Sequence, residues 1–229
     1  ARKRLGNVVE RQQSELLRQA QQIIRLNMGM IEALSTAIEF RSGESGEHVR
    51  RIHDITRFLL EHTELGRGLT EEEITHISLA AIMHDVGKIA IPDTILNKPG
   101  RLTAEEFDIM KTHTIQGALL LERIPQMREF AAYHYARDIA RHHHERWDGR
   151  GYPDGLKGEE ISLGAQIVSL ADVYDALVSR RVYKAAIPRQ EALEMIRTGQ
   201  CGAFNPALLR CFFRVEEELW RMYSKKEEA

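Results

Sequence analysis

The chain has 229 residues, 43% hydrophobic and 29% charged, a balance that excludes wholesale disorder and is long enough for one good-sized core. With 32 basic against 34 acidic residues, the net charge of -2 excludes a field able to hold a nucleic-acid polymer or an anionic membrane by charge alone. An anionic ligand would need local positive charge.

No run of about 18 apolar residues occurs, and the N-terminus lacks the basic-then-apolar pattern of a signal segment, so no membrane insertion and a cytoplasmic location are expected. The opening "ARKRLG" has no Met and reads as part of something longer. From Leu5 to about Phe40, the apolar or neutral residues Leu5, Val9, Gln12, Leu16, Ala20, Ile23, Asn27, Met30, Leu34 and Ile38 fall on a heptad-like stripe of one long helix. Its first 25 residues are too rich in Gln, Arg and Glu for full burial, which points to a parallel dimer helix carrying a signal from an upstream domain, although packing on its own core stays open. Residues 1–36 are therefore assigned to a signalling helix and 37–229 to the globular domain that follows it.

The pattern stays helical after "RSGESGEH". "GEHVRRIHDITRFLLEH" and "TEEEITHISLAAIMHD" read as helices, the latter apolar nearly all round toward its end. Thr103 and Glu106 form a capping box for the next helix, and "EFAAYHYARDIARHHHE" leads into the loop "HHHERWDGRGYPDG". Ser162 caps "LGAQIVSLADVYDALV", and "PRQEALEMIR" and "NPALLRCFFRVEEELWRMY" close the chain. Alternating strand patterns are missing, so the fold class is all-α. Cys201 and Cys211, ten apart and without a CxxC, read as reduced core or helix-face residues.

The 10 histidines concentrate at helix ends beside carboxylates. Glu44 and His48, four apart, share a helix face if the helix already begins there, and are otherwise a surface pair. His84 and Asp85 end the most apolar helix, where burial is costly unless both are paired or bind a cation; a buried His–Asp hydrogen bond is the alternative. Helical neighbours diverge by roughly 100°, so this pair would flank a cleft, with Lys88 returning to the same side. A lone His113 is more often a half-buried histidine than a ligand. Asp172 reads as a site carboxylate or a local hydrogen bond, and Asp175 as a solvated face.

Together, "MHDVGK" and "HHERWDGRGYP", with "IPDTILNKPGRLTAEEFDIMKTHT", "ISLGAQIVSLADVYDALVSRRVYK" and "FNPALL", resemble the HD-GYP family of HD-domain metal-dependent phosphohydrolases over about residues 37 to 215. The resemblance implies a helical HD bundle holding two or three divalent ions, iron or manganese, and hydrolysing cyclic di-GMP to linear pGpG or GMP. The implied metal ligands are Glu44, His48, His84, Asp85, His113, His143, His144 and Asp172, with Glu44 associated with a third ion. Asp85 would bridge two ions that lower the pKa of a shared water for attack on phosphorus. Lys88 matches the family's cleft lysine, and Arg181 and Lys184 its phosphate-binding "RxxYK", with Val182 where Pro is common. Another cyclic dinucleotide as substrate, or a non-catalytic signalling module of the same fold, is the competing expectation, and the resemblance also implies an upstream sensory or receiver domain.

Within the opening loop, His143 and His144 are the expected ligands and His142 is not. Glu145 and Asp148 are expected to fix the loop by hydrogen bonds to histidine or backbone, and Gly149, Gly151, Pro153 and Gly155 to turn it. Tyr152 could pack the loop, meet the ligand or face a partner. His53, His62, His76 and His134 read as helix-surface residues.

Overall fold

The computed structural model describes residues 2–43, 46–179 and 186–227. Among them the chain is helical without a β-strand, apart from an isolated bridge between Asp148 and Lys157. Helix α1 spans Arg2–Arg41 unbroken, crossing the expected boundary after residue 36 without interruption. Its middle is exposed, whereas Ser35 and Glu39 near its end are buried and Ile31 and Ile38 pack against the core.

Helices α2 (Gly46–His62) and α3 (Glu71–Ala81) follow. The apolar run had suggested that α3 continues through His84 and Asp85, but it stops at Ala81. There the Ile82 N–H is drawn to the carbonyls of Leu79 and Ala80, and the bonds of His84 to Ala81 and Met83 to Ala80 tighten the chain into turns. A 3-10 helix, Val86–Ala90, comes next. Its close seat on the later helix α5 requires glycine, since a Cβ on Gly87 would lie 1.8 Å from the His113 carbonyl oxygen.

The short α4 (Asp93–Leu96) precedes α5 (Ala104–Arg123), whose start carries the expected capping box: the Glu106 N–H donates to Thr103 Oγ1 at 3.2 Å and the Thr103 N–H to Glu106 Oε2 at 2.8 Å. Helix α6 spans Tyr133–His142. The Ala165 N–H donates to Ser162 Oγ at the start of α7 (Leu163–Val178), the helix most deeply embedded in the bundle. Helices α8 (Arg189–Arg197) and α9 (Pro206–Glu227) complete the chain. Ile52, Leu59, Ile139, Ile167, Leu170, Tyr174, Leu208 and Phe212 are the center of the core, and the start of α2, the middle of α5, the end of α6 and the turn after α3 meet beside it.

Candidate metal centre

Three imidazoles at this meeting point are held through Nδ1 by backbone carbonyls. His84 Nδ1 lies 2.9 Å from the Ala81 carbonyl, His113 Nδ1 2.7 Å from that of Met110, and His143 Nδ1 3.0 Å from that of Ile139. A carbonyl only accepts, so Nδ1 carries the proton and the neutral ring keeps its lone pair on Nε2. These acceptors belong to the preceding turn of the same segment, so local backbone geometry aims each ring.

The three Nε2 atoms converge on Asp85. Its Oδ1 is 3.2 Å from His113 Nε2 and 3.6 Å from His143 Nε2, while Oδ2 is 3.2 Å from His84 Nε2 and 2.7 Å from Lys88 Nζ. His113 Nε2 and His143 Nε2 are themselves 3.5 Å apart. Among the described residues, His84 Nε2 and Asp85 Oδ1 are buried without a hydrogen-bonded partner. Such an arrangement is costly unless positive charge enters it. Nitrogen and oxygen donors without thiolate suit a divalent ion such as iron or manganese, so the residues fit the implied ions.

The field agrees. Burial pushes His143 and His144 below the usual histidine value, His144 well below, leaving both neutral. Burial also opposes charging His84, but the adjacent Asp85 and the Asp172 charge outweigh it and raise the ring to about 9. Burial would raise the Asp85 carboxyl, yet Lys88 and His84 hold it well below the carboxylate range.

Donor atoms form two groups, each within 4.8 Å: Asp85, His113, His143 and His144 in one, and Glu39, His48, His84 and Asp85 in the other. Asp85 belongs to both. His48 comes from the first turn of α2, and its Nε2 lies 3.6 Å from Asp172 Oδ1 on α7. Asp175, expected on a solvated face, is instead 1% exposed, with Oδ2 2.7 Å from His48 Nδ1 and Oδ1 2.5 Å from Arg51 Nε. The helix turns this residue inward because α2 packs directly on α7. Burial would raise its carboxyl, but His48 and Arg51 hold it well below the usual range.

The loop after α6 divides by role. His142 faces away, 2.8 Å from Asp138 Oδ1 and 3.0 Å from Asp154 Oδ2. Glu145 is buried and accepts the N–H groups of Asp154, Gly155 and Leu156 at 2.7, 3.1 and 3.0 Å, and Asp148 Oδ1 accepts from the Arg150 N–H. Both fix the loop through backbone, as expected. Gly151 runs so close to Glu145 and Arg146 that a Cβ there would lie 2.3 Å from the Arg146 nitrogen. Tyr152 stacks on His144 with ring centroids 4.8 Å apart and meets the edge of Phe107, so it packs the loop against the site.

Of the residues expected at the site, His48, His84, Asp85, Lys88, His113, His143, His144 and Asp172 are gathered here. Glu44, Arg181 and Lys184 lie outside the described residues, as does Val182. Sequence reasoning passed over Glu39, Arg51 and the inward turn of Asp175. The available signal for Glu39 was a carboxylate beside Ile38, where α1 joins the core.

The family model described as HD domain matches residues 17–208. A probable cyclic di-GMP phosphodiesterase of Vibrio cholerae is 39% identical over 212 residues, covering 90% of this chain and 48% of its own. The chain spans about half the length of such curated relatives. Among solved structures, Bd1817, an HDG"Y"P protein from Bdellovibrio bacteriovorus, aligns with a TM-score of 0.54 and 23% identity over 72% of this chain and 51% of that one. A cyclic GMP-AMP specific phosphodiesterase of Vibrio cholerae aligns with a TM-score of 0.57 and 20% identity over 83% and 48% respectively. At such identities the two structures speak for the fold alone. Because the family match covers most of the chain, and the "HD" turn and the "GYP" loop meet at one cluster of imidazoles, the chain belongs to the HD domain family.

Proposed function

We propose that this segment is a metal-dependent phosphodiesterase that hydrolyses cyclic di-GMP to linear pGpG or GMP. The observation that carries the reading is Asp85, whose two carboxylate oxygens face two separate groups of imidazole nitrogens. In this reading His113, His143 and His144 hold one ion with Asp85 Oδ1. His48, His84 and Asp172 would hold another with the same carboxylate, and Glu44 would allow a third. The ions, iron or manganese, supply Lewis acidity toward the phosphodiester and lower the pKa of the attacking water.

The remaining work belongs to the chain. Lys88, 2.7 Å from Asp85, brings a positive group to the cleft where charge develops on phosphate oxygens or on the departing ribose 3′ oxygen. Arg181 and Lys184 provide the local positive charge that the overall balance of -2 does not. Asp85 and Asp172 stay ionised and the rings of His143 and His144 stay neutral, so these four donors are in binding form at neutral pH, whereas His84, raised to about 9 beside Asp85, would give up a proton to an entering ion.

The test is anaerobic purification, metal analysis and incubation with cyclic di-GMP with separation of products. Linear pGpG or GMP is expected. Metal-replete protein that leaves cyclic di-GMP intact contradicts the reading, and turnover of cyclic GMP-AMP alone would move the substrate to that of the Vibrio cholerae structural neighbour.

The same reading places residues 1–36 as a signalling helix ahead of a 37–229 catalytic domain in a cytoplasmic protein, downstream of a sensory or receiver domain. A second copy of the chain is the partner. Leu16, Ile23 and Met30, spaced by seven, are each 58–64% exposed on α1, the pattern of a two-helix seam. Among the described residues no helix is long and apolar enough to cross a membrane. Removing residues 1–28 is expected to halve the mass in solution; an intact chain that is already monomeric contradicts the dimer.

A further inference from the structure

Helix α1 does more than lead into the bundle. Its last turn reaches the site through two residues that no motif marks. Glu39 is 1% exposed, and its Oε2 lies 3.3 Å from Lys88 Nζ. Two residues on, Arg41 spans the end of the 3-10 helix that carries Lys88. Its Nη1 donates to the carbonyls of Lys88 and Ile89 at 2.9 and 3.1 Å, its Nη2 to that of Ile91 at 2.5 Å, and its Nε to Asp93 Oδ1 at 2.9 Å.

The Lys88 ammonium therefore sits between two carboxylates, Asp85 at 2.7 Å and Glu39 at 3.3 Å. Their roles differ. Asp85 faces the imidazole donors with both oxygens, so divalent ions bound there would claim its charge and repel an ammonium beside it. Glu39 is the buried anion on the far side of Lys88, able to hold the ammonium in the cleft against that repulsion. A buried carboxylate whose charge is so placed contributes geometry even where it adds little net stability.

We propose that Glu39 is a positioning residue that holds Lys88 at the reacting phosphate, and that Arg41 fixes the backbone beneath it, so that the last turn of α1 sets the geometry of the cleft lysine. The inference rests on the proposed phosphodiesterase reading for the task of Lys88, and on the observed contacts for its position. The path from α1 to the cleft is a pair of direct contacts, Glu39 with the Lys88 ammonium and Arg41 with the backbone beneath it, and it runs outside the set of residues proposed above to hold the ions.

The experiment compares wild type, Glu39→Gln, Lys88→Met and the double variant, each loaded with manganese. Glu39→Gln is expected to lower kcat on cyclic di-GMP about 10- to 100-fold with KM unchanged, and to keep the wild-type metal-to-protein ratio. In the Lys88→Met background the same change is expected to cost less than about twofold, because its effect passes through the lysine. Glu39→Asp, which retains the charge on a shorter arm, is expected to recover part of the loss.

Crystal structures of the metal-loaded wild type and Glu39→Gln provide the readout independent of turnover: in the variant, Nζ should leave Asp85. Equal losses in both backgrounds, loss of metal on Glu39→Gln, or an unmoved Lys88 would each overturn the proposal. If Glu39→Gln does not fold, the Glu39→Asp structure and its cycle with Lys88→Met decide the same question. Wild-type protein without any turnover would refute the phosphodiesterase reading instead, while the position of Nζ would still decide the role of Glu39.

Discussion

The two groups of donors that share Asp85 are built by different means. On the Oδ1 side, His113 and His143 are each aimed by a carbonyl three or four residues back on their own segment, and His144 is locked by the stacked Tyr152. On the Oδ2 side only His84 is aimed that way, by the Ala81 carbonyl, while His48 takes its orientation from Asp175 on a distant helix, Asp172 arrives on that same helix, and α1 reaches this side through the contact of Glu39 with Lys88. The rings of the first group are aimed locally, and the group needs α5, α6 and the turn after α3 to pack together. The second exists only when α1, α2 and α7 are all in place, which makes it the side that an upstream helix can influence.

Asp85→Asn is expected to break both sides at once, since the amide cannot serve two cations as an anion. Metal should fall on both sides, and turnover of cyclic di-GMP about a thousandfold. Wild-type turnover at normal metal content would dissolve the comparison.

Gly87→Ala acts on the Oδ1 side through packing. The added methyl would meet the His113 carbonyl at 1.8 Å and the Gly117 nitrogen at 2.4 Å, both backbone atoms that cannot swing aside. Thermal or urea unfolding should register a loss of about 3 kcal/mol. A variant as stable as wild type would show that the turn and α5 can part cheaply.

Asp175→Asn acts on the Oδ2 side alone. It loosens His48 without touching His113 or His143, and is expected to weaken one ion about 10- to 100-fold, leaving the other in place. Metal titration should then resolve two unequal affinities. Because the carboxyl is held below its ordinary range, its contribution is present at neutral pH and is lost as acid protonates it. An equal fall at both ions would contradict the separate construction of the two sides.

How much could be read from the sequence follows the same division. The all-α bundle was legible because apolar residues recur at helical spacing, and Thr103–Glu106 and Ser162 announce their helices by side-chain chemistry close at hand. The gathering of His84, Asp85, His113, His143 and His144 was legible only through the family resemblance, since nothing local says that α5 and α6 meet at the turn after α3. The end of α3 at Ala81 was hidden: apolar residues continue through Ile82 and Met83, and what stops the helix is the seat of Gly87 on α5. Asp175 and Glu39 were missed for a related reason. Each is a carboxylate on an otherwise ordinary helix, and its burial is decided by a partner from another element, Arg51 in one case and Lys88 in the other.

The central claim, that Asp85 lies between two ions, is tested most directly by anomalous diffraction from crystals of the manganese-loaded protein. Two peaks are predicted, one flanked by Asp85 Oδ1, His113 and His143 and the other by Asp85 Oδ2, His48 and His84. A single peak, or peaks that leave Asp85 untouched, would contradict it.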